Sequence, residues 1–229
     1  MNYYDYNIAI LIPCYNEENS IRQVIEDFRN EIPTGIIYVY DNNSTDNTAK
    51  ISLESGAHVI KSPNQGKGNT VKQMFDEIEA EIYIMVDGDY TYFAKNASQL
   101  VSGVVNGYDM MIGDRLSSTY FTENKRPFHN IGNRIVRFLV NNLFKGNVND
   151  VMTGYRAFSR QFVKSINIET TGFEIETEMT IYALENDYNI GQTVIDYKDR
   201  VDSKSKLNTV RDGIKIIRYI FKKKYQKKR

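Results

Sequence analysis

Asp87-Gly88-Asp89 sets two carboxylates on either side of a glycine, directly after the apolar run Ile82 to Val86. Two hard oxygen donors at that spacing suit Mg2+ or Mn2+, and the glycine permits a tight turn between them. A divalent cation held there would neutralise a diphosphate and stabilise it as a leaving group. Read alone, Asp-Gly-Asp is an ordinary surface turn. Its company sets it apart. Pro13-Cys14-Tyr15-Asn16-Glu17 and Asp41-Asn42-Asn43-Ser44-Thr45-Asp46 also follow apolar runs. Open α/β sheets bind ligands at the carboxyl ends of their strands, so three polar clusters in that position predict one shared rim. Gln65-Gly66-Lys67-Gly68 has the composition of a phosphate loop but is too short for a P-loop; Lys67, at a helix start, is placed to reach a phosphate.

The elements that must carry these clusters follow from hydrophobic periodicity. Asn7 to Ile12 reads as a buried strand, and Ile21, Val24, Ile25 and Phe28 recur at helical spacing up to Pro33. Ile36 to Tyr40 is a second strand, followed by a helix capped by Ser44 and closed by Gly56. Ala57 to Ile60 is a third strand, and the helix after Gly68 carries Val71, Met74, Phe75 and Ile78 on one face. Ile82 to Val86 is apolar on both faces, which predicts a central strand. Further on come a helix around Leu100 to Val105, a strand over Asp109 to Ile112, and a polar loop from Ser117 to Asn130. Next is a helix over Ile131 to Phe144, with Ile135, Phe138, Leu139 and Leu143 on one side. A strand over Tyr155 to Phe158, a helix over Glu174 to Glu185, a strand over Gly191 to Tyr197 and a closing helix complete the chain. This alternation predicts one α/β domain, a Rossmann-like, mostly parallel sheet flanked by helices. Residues 1–90 form its nucleotide-binding half, 91–207 its acceptor-binding half, and 208–229 a basic amphipathic helix.

Composition narrows the partners. The 229 residues carry 29 basic and 29 acidic side chains, so net charge gives no reason to expect a nucleic-acid partner. Cys14 is the single cysteine, which excludes an intramolecular disulfide and a cysteine metal site. Neither a signal peptide nor an apolar run of about 20 residues is legible, which favours the cytoplasm. Basic residues crowd the end, Lys222-Lys223-Lys224 and Lys227-Lys228-Arg229, behind Ile216, Ile217, Ile220 and Phe221. Each cation near an anionic leaflet contributes about 1 kcal/mol, so this end is expected to tether the chain to the inner face of the membrane.

The runs IPCYNEENSI, VYDNNSTDNTA, NQGKGNT and VDGDYTY together resemble the nucleotide-binding half of the family 2 inverting glycosyltransferases, which have the GT-A fold. GDR at Gly113 to Arg115, DVMTGYRAF at Asp150 to Phe158, GFEIETEM at Gly172 to Met179 and YKDRVDSKSKL at Tyr197 to Leu207 resemble the polyprenyl-phosphate sugar transferases within it. Dolichyl-phosphate mannose and glucose synthases and their undecaprenyl-phosphate relatives belong to that group. The resemblance implies that Pro13, Tyr15, Glu17 and Asp41 line the base and ribose pocket and that Asp87 and Asp89 face the metal and diphosphate. It also implies that Arg115 and Arg200 sit near donor and acceptor phosphates, with Ser205 and Lys206 on a closing loop. Three positions depart from the pattern. Asn42 replaces the second acid of the usual Asp-Asp pair, Asn47 stands where glycine is common, and Thr91 stands where some relatives have a glutamine metal ligand. The two aspartates are then what the protein offers the metal, with donor phosphates and water completing the shell.

Acceptor chemistry can be argued from protons. A sugar hydroxyl must lose one during attack and needs a carboxylate or histidine base. A phosphomonoester, with a second pKa of about 6, is already anionic and needs cations instead. Arg115, Arg134, Arg156, Arg200, Lys204 and Lys206 supply them in the second half. The sequence therefore predicts metal-dependent, inverting transfer from a nucleotide diphosphate-sugar, a UDP-sugar rather than GDP-mannose, to a polyprenyl phosphate. Asp89, Arg115, Arg200 and Asp150 form the predicted catalytic set, Asp150 orienting an arginine or the acceptor phosphate. The alternative is transfer to a sugar hydroxyl of a cell-surface glycan, with Glu176, Glu178 or Asp150 as base. On a helix Glu174 and Glu178 share a face and Glu176 points away.

Overall fold

The computed structural model describes residues 5–117, 127–198 and 209–226. Continuous apolar runs form strands buried on both faces. These are β1 (Ile8–Cys14), β2 (Ile36–Asp41) and β4 (Ile82–Met85), with the shorter β3 (His58–Lys61) beyond β2. Helices α1 (Ile21–Glu31), α2 (Thr48–Glu54) and α3 (Lys67–Glu77) connect them, so β1 to β4 run parallel. The second half adds α4 (Ala97–Val105), β5 (Met110–Asp114), α5 (Pro127–Phe144), β6 (Arg156–Ser159), α6 (Arg160–Ser165), α7 (Ile175–Glu185), β7 (Ile190–Val194) and α8 (Thr209–Gln226).

Among the described residues seven strands join one sheet in the order β3-β2-β1-β4-β6-β5-β7. β4 stands at its centre, as its two-sided apolar pattern predicts. β6 is antiparallel to both neighbours, β4 and β5. An antiparallel strand begins where its parallel neighbours end, so the turn entering β6 reaches the carboxyl-end rim. The sheet buries both faces. Leu11, Tyr83 and Met85 meet Val71, Phe75, Val140, Phe162 and Ile216 on one side, and Ile10, Ile12 and Ile84 meet Val24, Phe28, Leu100 and Val101 on the other.

Several local expectations change. Asn47, not Ser44, precedes α2, and it caps through no side-chain bond. Its φ of −84° is ordinary; Asn16 and Asn43 adopt the left-handed backbone, with φ of 52° and 64°. The stretch expected as a loop through Asn130 is helical from Pro127, a favourable first-turn residue because its missing N–H has no intrahelical partner to lose. On α5, Val136 and Val140 are buried while Ile135 and Phe138 face outward. Apolar residues span a wide arc of this helix, interrupted by Arg134, Arg137 and Asn141, so periodicity alone could not select its core side. On α8, Ile216 and Ile220 are fully buried, leaving Val210, Ile214, Phe221 and Tyr225 exposed. Among the described residues no helix is long and apolar enough to cross a membrane.

Candidate active site

Two loops at the rim are laced together by side-chain oxygens. The Asn16 N–H donates to Ser44 Oγ (2.9 Å), the Glu17 N–H to Thr48 Oγ1 (2.7 Å) and the Glu18 N–H to Asp46 Oδ2 (3.1 Å). Thr45 N–H returns a bond to Asn16 Oδ1 (2.8 Å). Cys14 pairs with Asp41 across the β1–β2 ladder, so Pro13, Tyr15, Glu17 and Asp41 share one corner of the rim. Tyr15 is partly exposed there, and Asp41 Oδ1 accepts the Ser44 N–H (3.3 Å). Asn42 explains its own departure from an acid. Its amide donates to the carbonyls of Ser62 and Asn64 (2.9 and 2.8 Å) and accepts from the Gly66 N–H (2.7 Å). A carboxylate could accept but could not donate twice.

Asp87 and Asp89 lie just past β4, at the end of the same rim. Gly88 is required by close approach: a Cβ there would stand 2.7 Å from Cys14 Sγ, and its carbonyl accepts from Ser20 Oγ (2.7 Å). Asp89 Oδ1 accepts from the hydroxyl (2.7 Å) and N–H (3.2 Å) of Thr91, which thus orients a carboxylate. Asp87 is held by Lys67, whose ammonium contacts Asp87 Oδ1 and Glu176 Oε1, each at 2.5 Å. Burial opposes the charge on Lys67, but the two carboxylates outweigh it and raise the pKa above the ordinary lysine value. Lys67 therefore meets the Asp87-Gly88-Asp89 motif directly. The helix start behind it is filled: Thr171 O accepts the Gly68 N–H (3.1 Å), and Cβ atoms at Gly66 and Gly68 would each stand 2.2 Å from a threonine carbonyl. The phosphate cradle expected at this N-terminus is closed by protein backbone. No cluster of three or more metal-ligating side chains occurs among the described residues. Two oriented carboxylates still fit Mg2+ or Mn2+ bound with substrate phosphates, since Mg2+ commonly takes one or two carboxylates and keeps water.

Across the rim Arg115 and Asp150 form a bidentate pair, Nε to Oδ2 at 2.7 Å and Nη2 to Oδ1 at 2.9 Å. Asp150 is fully buried and Arg115 nearly so, with the Arg115 N–H adding a third bond (3.2 Å). The guanidinium lies 5.5 and 6.0 Å from the rings of Tyr197 and Tyr92. Removing one partner of such a pair leaves a buried charge uncompensated, at a cost of about 3–5 kcal/mol. Arg200, Lys204, Ser205 and Lys206 lie outside the described residues. The candidate bases are engaged otherwise. Glu178 binds the N–H groups of Glu169 and Thr170 (2.8 and 2.9 Å) and the Thr170 hydroxyl, Glu176 binds Lys67, and Asp150 binds Arg115. Glu176 and Glu178 leave opposite sides of α7, yet both are buried because the helix is covered on both sides.

Residues 9–166 match the family described as glycosyl transferase family 2. The chain is a family 2 glycosyltransferase. It is 34% identical over 208 residues to the glycosyltransferase AglJ of Haloferax volcanii, covering 90% of this chain and 68% of that one. It is 29% identical over 217 residues to a dolichyl-phosphate hexose transferase of the same organism, covering 94% and 93%. The crystal structure of glucosyl-3-phosphoglycerate synthase from Mycobacterium tuberculosis in complex with Mn2+, UDP-glucose and phosphoglyceric acid matches with a TM-score of 0.78 at 18% identity, over 96% of this chain and 80% of that one. The glycosyltransferase has the GT-A fold.

Tyr92 and Gly154 join the transferase's rim without having been expected there, and Glu176 and Arg156 take other partners than their expected roles imply. Glu176, a candidate base by residue type, is paired with Lys67 instead. Tyr92 accepts the Gly154 N–H at its hydroxyl (3.0 Å), and its ring packs tilted against Tyr155 and edge-on against Tyr197. A Cβ at Gly154 would stand 2.4 Å from Asp87 Oδ2, so this glycine fits against the carboxylate. Arg156, read as a phosphate cation, is fully buried beneath the rim. The motif Gly154-Tyr155-Arg156 was the available signal, but sequence does not show that a turn 67 residues downstream folds against Asp87.

Proposed function

We propose that this transferase moves one sugar, with inversion, from a nucleotide diphosphate-sugar to a polyprenyl phosphate. The observation that carries the reading is the buried, bidentate Arg115–Asp150 pair on the same rim as Asp87 and Asp89. It presents a fixed cation, while the acids Asp150, Glu176 and Glu178 are held by other groups. The named dolichyl-phosphate hexose transferase supports the acceptor, and the Mn2+ and UDP-glucose of the structural neighbour support a divalent metal and a UDP-sugar.

In this reading Pro13, Tyr15, Glu17 and Asp41 bind the nucleoside, and Asp87 and Asp89 hold Mg2+ or Mn2+. When bound, the cation supplies charge neutralisation to the departing diphosphate. Lys67 keeps Asp87 in place. Arg115, joined by Arg200, Ser205 and Lys206, holds the acceptor phosphate, and Asp150 fixes the plane of the Arg115 guanidinium. One acceptor phosphate oxygen attacks the anomeric carbon from the side opposite the diphosphate. The new C–O bond forms as the old one breaks, and its electron pair leaves on the nucleoside diphosphate. No proton has to be removed from a phosphate oxygen that is already anionic. An amphipathic face formed by Val210, Ile214 and Phe221 of α8 and Ile135 and Phe138 of α5, bordered by Arg218 and Lys222, sets the enzyme on the inner face of an anionic membrane.

The test is incubation with UDP- and GDP-sugars, Mn2+ and undecaprenyl phosphate, reading nucleoside diphosphate release. Release that depends on both metal and lipid phosphate is expected. Its pH profile should rise through about 6, the second pKa of the acceptor. Transfer to a glycan hydroxyl, with no response to the lipid, would overturn the proposal.

A further inference from the structure

Arg156 is the bulkiest side chain with full burial among the described residues. It stands on β6, opposite Met85 at the end of β4 and Ile112 of β5, between the strand that leads to the metal motif and the strand that leads to Arg115. Its hydrogen-bond partners are neutral oxygens: Nε donates to Thr153 O (3.1 Å), Nη2 to Val151 O (2.7 Å) and Nη1 to Thr180 Oγ1 (3.0 Å). Nη1 also approaches Met110 Sδ (3.3 Å). Burial lowers its pKa to about 10, while the more distant charges of Glu176 and Asp150 work the other way. A guanidinium is costly to bury against neutral acceptors, so packing alone is a poor account of it.

The carbonyls that Arg156 binds belong to the turn 150–154, and that turn touches both halves of the rim. Asp150 grips Arg115. The Gly154 N–H donates to the Tyr92 hydroxyl, three residues beyond Asp89, and Gly154 lies against the Asp87 carboxylate. Tyr155 O accepts the Gly113 N–H (3.0 Å), tying the exit of the turn to the strand of Arg115. We propose that Arg156 is a positioning residue that sets the turn 150–154 and thereby fixes the Asp87 carboxylate and the Arg115 guanidinium together. The three nitrogens of a guanidinium suit this task because they meet two turn carbonyls and Thr180 of α7 at once; an ammonium on a lysine stem cannot reproduce that fork. The inference rests on the proposed roles of Asp87 toward the metal and Arg115 toward the acceptor.

Arg156→Lys and the milder Thr180→Val test it on the full chain. Mn2+ affinity is measured by electron paramagnetic resonance in the presence of UDP, and KM is separated from kcat for undecaprenyl phosphate. Melting temperature is recorded for each variant. Arg156→Lys is expected to weaken Mn2+ binding and raise the lipid KM together, each by about 10- to 100-fold, the usual range for loss of an outer-shell partner. Thr180→Val shifts the same two constants in the same directions by less, and decides the matter if Arg156→Lys does not fold. A fall in melting temperature with both constants unmoved, or movement of one constant alone, overturns the proposal. Failure of the unsubstituted protein to bind Mn2+ with UDP would instead sink the functional reading, and this inference with it.

Discussion

Gly154→Ala puts a methyl group where the structure has room for none. The new Cβ would stand 2.4 Å from Asp87 Oδ2 and 2.9 Å from Asp87 Cγ and Oδ1. Carbon and oxygen approach to about 3.3 Å even in their closest favourable contacts, so the carboxylate must yield by about 0.9 Å. Lys67 holds Oδ1 at 2.5 Å, and the carboxylate retreats only by swinging about that contact, which moves Oδ2 furthest. Metal–ligand distances tolerate about 0.2 Å, several times less than this displacement. Asp87 is thereby lost as an oriented ligand, and the Mn2+ dissociation constant should rise by about 100-fold, the upper end for disturbing a metal site's surroundings. Gly154 has no positive φ, so overpacking is the main stability term, about 1–3 kcal/mol. At this chain length that lowers the melting temperature by about 2–12 °C. The assay pairs an electron paramagnetic resonance titration of Mn2+ with a thermal melt in EDTA. Mn2+ affinity within threefold of the parent, in a protein whose melt falls as stated, would refute the placement of Asp87 in the metal site.

Asp150→Asn keeps the shape of the turn but removes one charge of the Arg115 pair; the lipid KM should rise about 10-fold or more with Mn2+ affinity unchanged, in a steady-state assay varying lipid and metal separately. Asp46 laces the loops that follow β1 and β2: burial raises its pKa, but hydrogen bonds from Thr48 and Glu18 prevail and hold it below the ordinary carboxylate value. A depressed folded-state pKa stabilises above the unfolded value of about 3.9 and loses that contribution as pH falls through the folded one. The melting-temperature gap between the parent and Asp46→Asn should therefore be widest at pH 5 and above and close on acidification below about 4; a gap that grows would contradict the assignment. Phe138→Asp combined with Ile214→Asp should reduce co-sedimentation with phosphatidylserine vesicles and leave metal-dependent UDP binding intact. Undiminished vesicle binding removes this face as the membrane contact.

The sequence by itself determined the first half of the sheet and the rim upon it. Long apolar runs followed by polar clusters place β1, β2 and β4 and put Pro13, Asp41 and Asp87 at their ends, because burial on both faces of a parallel sheet is written locally in residue type. The Asp87-Gly88-Asp89 motif and the Gly113-Asp114-Arg115 segment were legible for the same reason. Tertiary structure alone decided what each charged group does. Lys67 was read as a phosphate contact, yet Thr171 fills the helix start and the ammonium turns to Asp87 and Glu176. Glu176 has the chemistry of a base, and only the fold gives it Lys67 as a partner; Asp150, expected to orient an arginine or the acceptor phosphate, is given Arg115. Val136 rather than Ile135 faces the core because apolar residues span a wide arc of α5, and its neighbours choose the side. The reversed direction of β6 brings Gly154 to Asp87, and no local pattern encodes that meeting. Residue type fixes which groups can bind metal or phosphate, while long-range packing fixes which partners leave them available to do so.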